Sequence, residues 1–357
     1  MSSSAPDYAV AQPHTDADEL FVRIRRQSVE DDSVNTALFR WTYRDAADGA
    51  ATALMLESRG HRKPEAIGWI GLQPRTLFAD GRALRAALLL NLVVTPEHRT
   101  VRPALMLQRH AHRIARANFD VSLGYPNQAA LGGFLRSGYH HLGPIRRYAA
   151  VLRHAPMLER RGLPPPVSTL AGGAADVVLA AVRRRRWLRW TSRFALEWPA
   201  EVDARFDRLW LRTLEADAGV LGRRDAALLR WRYLENPSER YSVAALVRNP
   251  SGELCGYAAV TRDGSRVHLS DLCALDDHSL GVLVDALLEV FYREKASVVD
   301  VCFLGRATVR ELLLARGFRA REVVRHAIVD ASPTAGLDPS LLADSGRWHL
   351  TAGDGDL

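Results

Sequence analysis

The chain has 357 residues, 47% hydrophobic and 25% charged, with 48 Lys and Arg against 41 Asp and Glu, a formal charge of +7. That length suits two domains of roughly 100–200 residues, and the composition is that of a folded protein whose core needs no disulfide staples. The positive charge favours an acidic partner, such as a phosphate-bearing cofactor, a nucleic acid or an anionic membrane surface, without choosing among them. No uninterrupted apolar run approaches the ~20 residues of a membrane span. The opening Met1-Ser2-Ser3-Ser4-Ala5-Pro6-Asp7 has neither the basic nor the apolar part of a signal peptide. Cys255, Cys273 and Cys302 stand singly in apolar, strand-like runs without metal spacing. A reducing, cytoplasmic setting is therefore expected, and a metal site is not.

The first 20 residues are expected to be a flexible lead. Residues 21–27 read as a strand, and 29–44 as a helix with Ser28 as its N-cap. Strands follow over 52–57 and 66–72, and a long apolar strand over 83–94. A loop over 96–102 then opens a helix over 103–118, with Pro103 in its first turn. A strand over 119–124, a helix over 128–137 closed by Gly138, and a strand over 143–153 complete a first unit, residues 21–153. Residues 154–197 form a Pro- and Gly-rich connection running into the basic, tryptophan-bearing stretch Arg183–Trp190. A second unit is expected over 198–330, and a Gly-, Ala- and Asp-rich tail over 331–357.

Four short patterns occur twice in the same order. Arg40-Trp41-Thr42-Tyr43 returns as Arg230-Trp231-Arg232-Tyr233, and Gly68-Trp69-Ile70 as Gly256-Tyr257-Ala258. Leu89-Leu90-Asn91-Leu92-Val93 is matched by His268-Leu269-Ser270-Asp271-Leu272, and Gly138-Tyr139 by Gly317-Phe318. The separations of 190, 188, 180 and 179 residues drift slowly and never reverse. Each pair alone is weak, but the ordered set predicts two copies of one α/β unit.

Chemistry concentrates in Leu90-Asn91-Leu92-Val93-Val94-Thr95-Pro96-Glu97-His98-Arg99-Thr100-Val101-Arg102-Pro103-Ala104. An apolar strand feeds a tight loop that opens into a helix, whose free N–H groups and positive dipole end form a site for a pyrophosphate. Arg99 and Arg102 add charge where phosphates would sit. This segment resembles the GCN5-related N-acetyltransferase (GNAT) superfamily, in which a Val-x-Pro-Glu-x-Arg turn precedes an Arg/Gln-x-x-Gly-x-Gly/Ala loop. Arg99 and Ala104 match the ends of that loop, while Arg102 replaces its central glycine and Pro103 follows. Leu123-Gly124-Tyr125-Pro126-Asn127, with Ala130 and Gly138-Tyr139, is similar to the family's strand–Asn–helix–Gly-aromatic segment. Phe134 stands where the family often carries a tyrosine acid.

The resemblance implies an α/β (α+β) chain of two GNAT-like domains, each a mixed, mostly antiparallel sheet flanked by helices. It implies an acyl-CoA co-substrate, with acetyl-CoA foremost, held by Leu92, Val93, Val94, Arg99, Thr100, Val101, Arg102, Pro103, Ala104 and Asn127. The loop Leu275–Leu280 of the second unit carries Asp276 and Asp277, which repel phosphate, so only the first unit is expected to bind CoA. A general base is required for an amine acceptor. Asn91 is the lone polar group of its strand, and Asp271 at the matching position is chemically better suited to base work. Arg230, Trp231 and Tyr233 are candidates to hold the acceptor, an amine of a glycan or small metabolite. Two other readings keep the fold: a Fem-like aminoacyl-tRNA-dependent transferase, with RNA on Arg183–Trp190, and a degenerate binding protein without catalysis. For Arg183–Trp190 itself a solvated helix face ranks ahead of lipid or nucleic acid.

Overall fold

The structure, a computed structural model, describes residues 7–13, 17–26, 31–59, 64–159, 162–216 and 219–355. The first half opens with β1 (Tyr8–Ala11), α1 (Ala17–Arg25), α2 (Asp32–Phe39) and a π-helical turn, Arg40–Arg44. It continues through β2 (Thr52–Ser58), β3 (Glu65–Ala79), β4 (Arg82–Val94), α3 (Val101–Asn118), β5 (Val121–Gly124), α4 (Gln128–Arg136) and β6 (His140–Val151). Two helices, α5 (Ala155–Glu159) and α6 (Pro165–Leu188), lead to the second half. There the order is β7 (Phe194–Glu197), α7 (Ala204–Ala216), β8 (Val220–Gly222), α8 (Ala226–Leu229) and a second π-helical turn, Arg230–Leu234. Then come β9 (Ser242–Arg248), β10 (Glu253–Asp263), β11 (Arg266–Ala274), α9 (Asp277–Arg293), β12 (Val298–Gly305), α10 (Ala307–Ala315) and β13 (Arg319–Ala331). Helix α11 (Pro339–Ala343) and strand β14 (Trp348–Thr351) close the chain.

Two local expectations are corrected. The segment at 21 is not a strand but the body of α1. Its buried Phe21, Val22 and Ile24 recur at helical spacing, with Asp18 and Glu19 in the first turn and Arg23 and Arg25 in the last, matching the dipole. Helix α2 is capped by Asp31, whose carboxylate accepts from the Ser33 and Val34 amides. Gln27 and the expected cap Ser28 lie outside the described residues.

The strands form one sheet in the order β1-β2-β3-β4-β5-β13-β6-β12-β11-β10-β9-β7. Within it β4·β5 and β11·β12 are parallel, and the other neighbours on this path are antiparallel. Read from either end, the two halves repeat the same series, β2-β3-β4-β5 and β9-β10-β11-β12. At the centre they trade their last strands: β5 pairs with β13, and β12 pairs with β6. Hydrogen bonding therefore joins residues of the two sequence units across the middle of the sheet. His112 of α3 adds to this by placing Nε2 2.7 Å from Asp330 Oδ2 at the end of β13.

The tail over 331–357 is part of the fold as far as it is described. Leu341, Leu342, Trp348 and Leu350 are buried in it. Strand β14 pairs with β12 and β8, and β8 pairs in turn with β3 of the first half.

The repeated Arg-Trp-x-Tyr motifs meet at the centre of this arrangement. Trp41 and Trp231 stack with ring centroids 4.5 Å apart and planes inclined by 16°. Trp41 Nε1 donates to the Trp231 carbonyl at 2.9 Å, and Trp231 Nε1 donates to the Trp41 carbonyl at 3.2 Å. Each carbonyl lies in a π-helical turn, a geometry that widens the backbone and frees an acceptor. Both rings are buried, so each indole N–H finds its partner in the other repeat. Trp231 is thus a structural residue and not an acceptor platform. Trp231→Ala is expected to cost about 3–5 kcal/mol, the range for truncating a buried aromatic, read from denaturant unfolding. Adding Trp41→Ala should cost less than the sum of the two single changes, because the pair is one interaction.

Candidate active site

Strand β4 begins regularly, antiparallel to β3 and parallel to β5 over Ala86–Leu89. At Asn91 it breaks step: Leu90 faces Gly71 but Val93 faces Trp69, so Asn91 and Leu92 together stand against Ile70. This is a β-bulge, and Asn91 takes φ +55°, a left-handed conformation that asparagine tolerates better than most residues. Pairing of β4 with β5 stops at Leu89–Gly124, so the two parallel strands splay beyond that point. Between them opens a gap of about 170 Å³, walled by Leu92, Tyr125, Pro126 and Phe134.

The Asn91 side chain is tied at both ends. Its Oδ1 accepts from Arg25 Nη1 at 2.7 Å, and its Nδ2 donates to Tyr43 Oη at 3.3 Å. Tyr43 Oη also accepts from Trp69 Nε1 at 2.7 Å. An amide held this way is neither acid nor base. Its contribution is to hold the bulge open, which corrects the expectation of a catalytic side chain there.

Helix α3 starts at the end of this strand. Thr100 occupies its N-cap position without a side-chain cap bond. Helical geometry leaves the Val101 and Arg102 amides without intrahelical acceptors, and Pro103 contributes none. Arg99 Nε donates to the Val94 carbonyl at 3.0 Å, pinning the loop to the strand end. A cleft of about 800 Å³ runs from the bulge to this helix start.

Nine expected residues line the cleft: Asn91, Leu92, Val93, Val94, Arg99, Thr100, Val101, Ala104 and Asn127. Asn127 is also the N-cap of α4, accepting from the Ala130 amide at 3.0 Å. Arg102 and Pro103 are not among the lining residues. The Arg102 guanidinium lies over the Tyr8 ring of β1, 5.9 Å from its centroid, and Pro103 is buried in the first turn of the helix. Arg25, Arg136 and Arg325 also line the cleft, and among the described residues no carboxylate does.

These three arginines escaped the sequence reading. Arg25 sat on a misread strand, Arg136 on an ordinary helix face, and Arg325 arrives on β13 from the second unit. Only the helical spacing around Phe21 could have signalled the first of them. The chemistry of the cleft fits an elongated anion: helix-start amides and Arg99 at one end, and at the other a largely apolar gap between splayed strands that Arg325 also lines, with Arg25 bonded to Asn91 beside it. Phe134 is buried against Tyr139, ring centroids 5.7 Å apart, and offers no proton.

The second half keeps the bulge and closes the site. The β10·β11 register shifts between Ala259 and Val260, so Ser270 is the extra residue beside Asp271. Asp271 is buried and fully engaged. It accepts from Tyr257 Oη at 2.5 Å, Thr351 Oγ1 at 2.9 Å and Arg224 Nη2 at 3.2 Å. Arg224 Nη2 in turn lies 2.6 Å from Asp354 Oδ2 of the tail. Burial pushes the Asp271 carboxyl up, but Arg224, Tyr257, His349 and Thr351 outweigh it and hold it below the usual range. Asp271 is therefore a structural anion and not a base at the cleft. Helix α9 is capped by its own Asp276, accepting from the Ser279 amide at 2.6 Å, which occupies the place a phosphate would need.

Of the remaining acceptor candidates, Tyr233 belongs to the core and Arg230 is exposed away from the cleft. Tyr233 is buried against Tyr241, ring centroids 5.0 Å apart, and Arg230 Nη2 donates to the Val202 carbonyl at 3.2 Å. None of the three lines the cleft.

His349 supplies the pH sensitivity of this cluster. Its Nε2 lies 2.7 Å from the Leu272 carbonyl, so that nitrogen carries the proton of a neutral ring. Burial and then Arg224 push the imidazole from 6.5 down to about 4. A folded value below the unfolded one means stability is complete above pH ~6.5 and is lost as pH falls toward ~4, by at most roughly 3 kcal/mol. Denaturant midpoints measured across that window should show the loss. His349→Gln, which keeps a donor, should flatten it.

No protein-family model matches the sequence, and no curated protein matches it. Solved structures do. A GCN5-related N-acetyltransferase from Kribbella flavida is 16% identical, with a TM-score of 0.58 over 98% of this chain and 83% of that one. A tandem GNAT protein from the clavulanic acid biosynthesis pathway is 14% identical, with a TM-score of 0.51 over 93% of this chain and 100% of that one. N-myristoyltransferase from Saccharomyces cerevisiae, solved with bound myristoyl-CoA, is 11% identical, with a TM-score of 0.54 over 93% and 86%. The chain has the tandem GNAT fold.

Proposed function

We propose that this protein is an acyl-CoA-dependent N-acyltransferase with a single donor site, in the first half, and acetyl-CoA as its donor. One observation carries the reading. The bulged, splayed end of β4 runs into an uncapped, arginine-flanked helix start, while the equivalent place in the second half is capped and filled. Arg99 and the α3 amides would take the phosphates, and the gap between β4 and β5 the thioester arm. The N-acetyltransferases and the myristoyl-CoA complex among the similar structures support an acyl-CoA donor.

The reaction joins amine nitrogen to acyl carbon and releases the thiol. Backbone N–H groups at the β4 bulge would polarise the carbonyl. Among the described residues no carboxylate or imidazole lines the cleft; on this reading the ammonium proton leaves to solvent, and the rate should rise with pH as the acceptor amine itself deprotonates. Four arginines around the cleft disfavour polycationic acceptors. They favour amines that are otherwise neutral or acidic, such as an amino sugar or an amino acid.

Calorimetric titration with acetyl-CoA should show binding, weakened at least about tenfold by Arg99→Glu, which places a carboxylate where a phosphate is held. Arg102→Glu should weaken it less, since that side chain turns toward Tyr8. Thiol release with a panel of amino sugars and amino acids then reads turnover. Absence of binding by the unaltered protein to acetyl-CoA and to longer acyl-CoAs would overturn the proposal.

A further inference from the structure

Helix α6 is built inside out. The residues it buries are Ser168, Gly172, Asp176 and Arg183, at helical spacing along one face. Each has a partner in the protein. Ser168 Oγ donates to Glu159 Oε1 at 3.0 Å, and Gly172 packs on the backbone of Ala155. Asp176 Oδ1 accepts from the His154 amide at 3.0 Å, and Arg183 Nη2 donates to the Val151 carbonyl at 3.0 Å. The opposite face is apolar and open: Leu170 is 77% exposed, Val177 65% and Val178 63%, with Val167, Val182 and Leu188 also exposed. A surface helix in water shows the reverse pattern.

Ser168, Thr169 and Asp176 interrupt its apolar run, but by length and composition α6 is apolar enough to cross a membrane. Both its ends return to strands of one sheet, and its inner face is bonded to the protein, so it lies along a surface and does not span one. The sign of that surface follows from charge. Arg184, Arg185, Arg189 and Arg193 are exposed at and beyond its C-terminal end. Its one acid, Asp176, is buried. Beneath this end lies a cavity of about 420 Å³ lined by Arg183, Arg186, Arg316, Arg319 and Arg321, with no carboxylate among the described residues of its wall. Arg183 Nη1 is buried there without a hydrogen-bond partner. Trp187 and Trp190 pack against the core, so the expected solvated face at Arg183–Trp190 is instead partly buried, and the stretch offers no row of open aromatics for stacking nucleobases.

We propose that the exposed face of α6 docks on an anionic lipid bilayer, the helix lying in the interface with its arginine-rich end against the headgroups. Two copies of a face carrying arginines and no exposed carboxylate repel each other, which argues against a dimer built on it. The test is co-sedimentation of the full chain with vesicles of phosphatidylglycerol and phosphatidylcholine, against vesicles of phosphatidylcholine alone. Binding to the anionic vesicles is expected, and should fall at least about tenfold in Arg184→Glu/Arg185→Glu/Arg189→Glu and in high salt.

Val177→Glu/Val178→Glu should abolish binding while leaving the thermal unfolding of the protein in place, because both side chains already face water. Should that pair unfold, Leu170→Glu replaces it. No binding by the parent protein, or equal binding to neutral vesicles, would overturn the proposal. So would a dimer in sedimentation equilibrium that the valine variant splits, since the face would then belong to a second copy.

Discussion

The exchange of β6 and β13 at the centre of the sheet is the constraint from which the rest follows. Because β5 takes β13 and β12 takes β6, either half on its own in this arrangement would leave a strand with a row of unpaired backbone groups, which invites association with other chains. With the exchange, neither half can complete its sheet alone, and the two must form together. The Trp41–Trp231 stack is the same coupling expressed in side chains. Each indole donates to the other's backbone, so the repeats are registered to one another by two hydrogen bonds and a shared apolar face. Strand β13 also carries Arg325 into the cleft of the first half, so the candidate site is completed by the second.

One unit used twice has taken two courses, and the difference is small in sequence. Both halves keep the bulge that breaks a parallel strand pair open. In the first, a neutral Asn91 sits at the opening and leaves an adjacent cleft of one sign. In the second, Asp271 brings in Arg224, and Arg224 draws the tail down through Asp354. A buried ion pair of this kind is weak evidence for net stability but is costly to break from one side. The tail thereby becomes a permanent occupant of the second opening, and Asp276 as the cap of α9 removes the anion site beside it.

The fold class, the repeat and the β4–α3 segment were legible in the sequence because each rests on local pattern. The apolar run of β4, the proline and arginines after it, and each copy of the Arg-Trp-x-Tyr motif are patterns of a few neighbouring residues. What local pattern could not carry was the strand exchange, since β6 and β13 read identically whichever half they join. Arg325 was invisible for that reason. Asp271 looked like a base because a lone carboxylate on an apolar strand is chemically suggestive; its partners Arg224, Thr351 and Tyr257 are distant in the chain. The inversion of α6 was hidden because its prolines and glycines read as a connection and not as a helix over Pro165–Leu188. Only the partners of Ser168, Asp176 and Arg183 show which side is turned inward.

The departure of the phosphate loop from the glycine-rich pattern need not close the site. Glycine serves there by letting a phosphate approach the backbone without meeting a side chain. Arg102 reaches a similar end by direction: its side chain leaves the cleft for the ring of Tyr8, and the amide on the same residue stays at the helix start. Pro103 removes one donor, but at a position where its fixed φ suits the first turn, and it is buried. What is lost in backbone donors is offset by charge, with Arg99 on the loop and Arg136 on the facing helix. Such a site depends more on ionic attraction and less on a tight nest of amides. If the proposed phosphorylated donor binds here, its affinity should be more sensitive to salt than that of a glycine-lined loop.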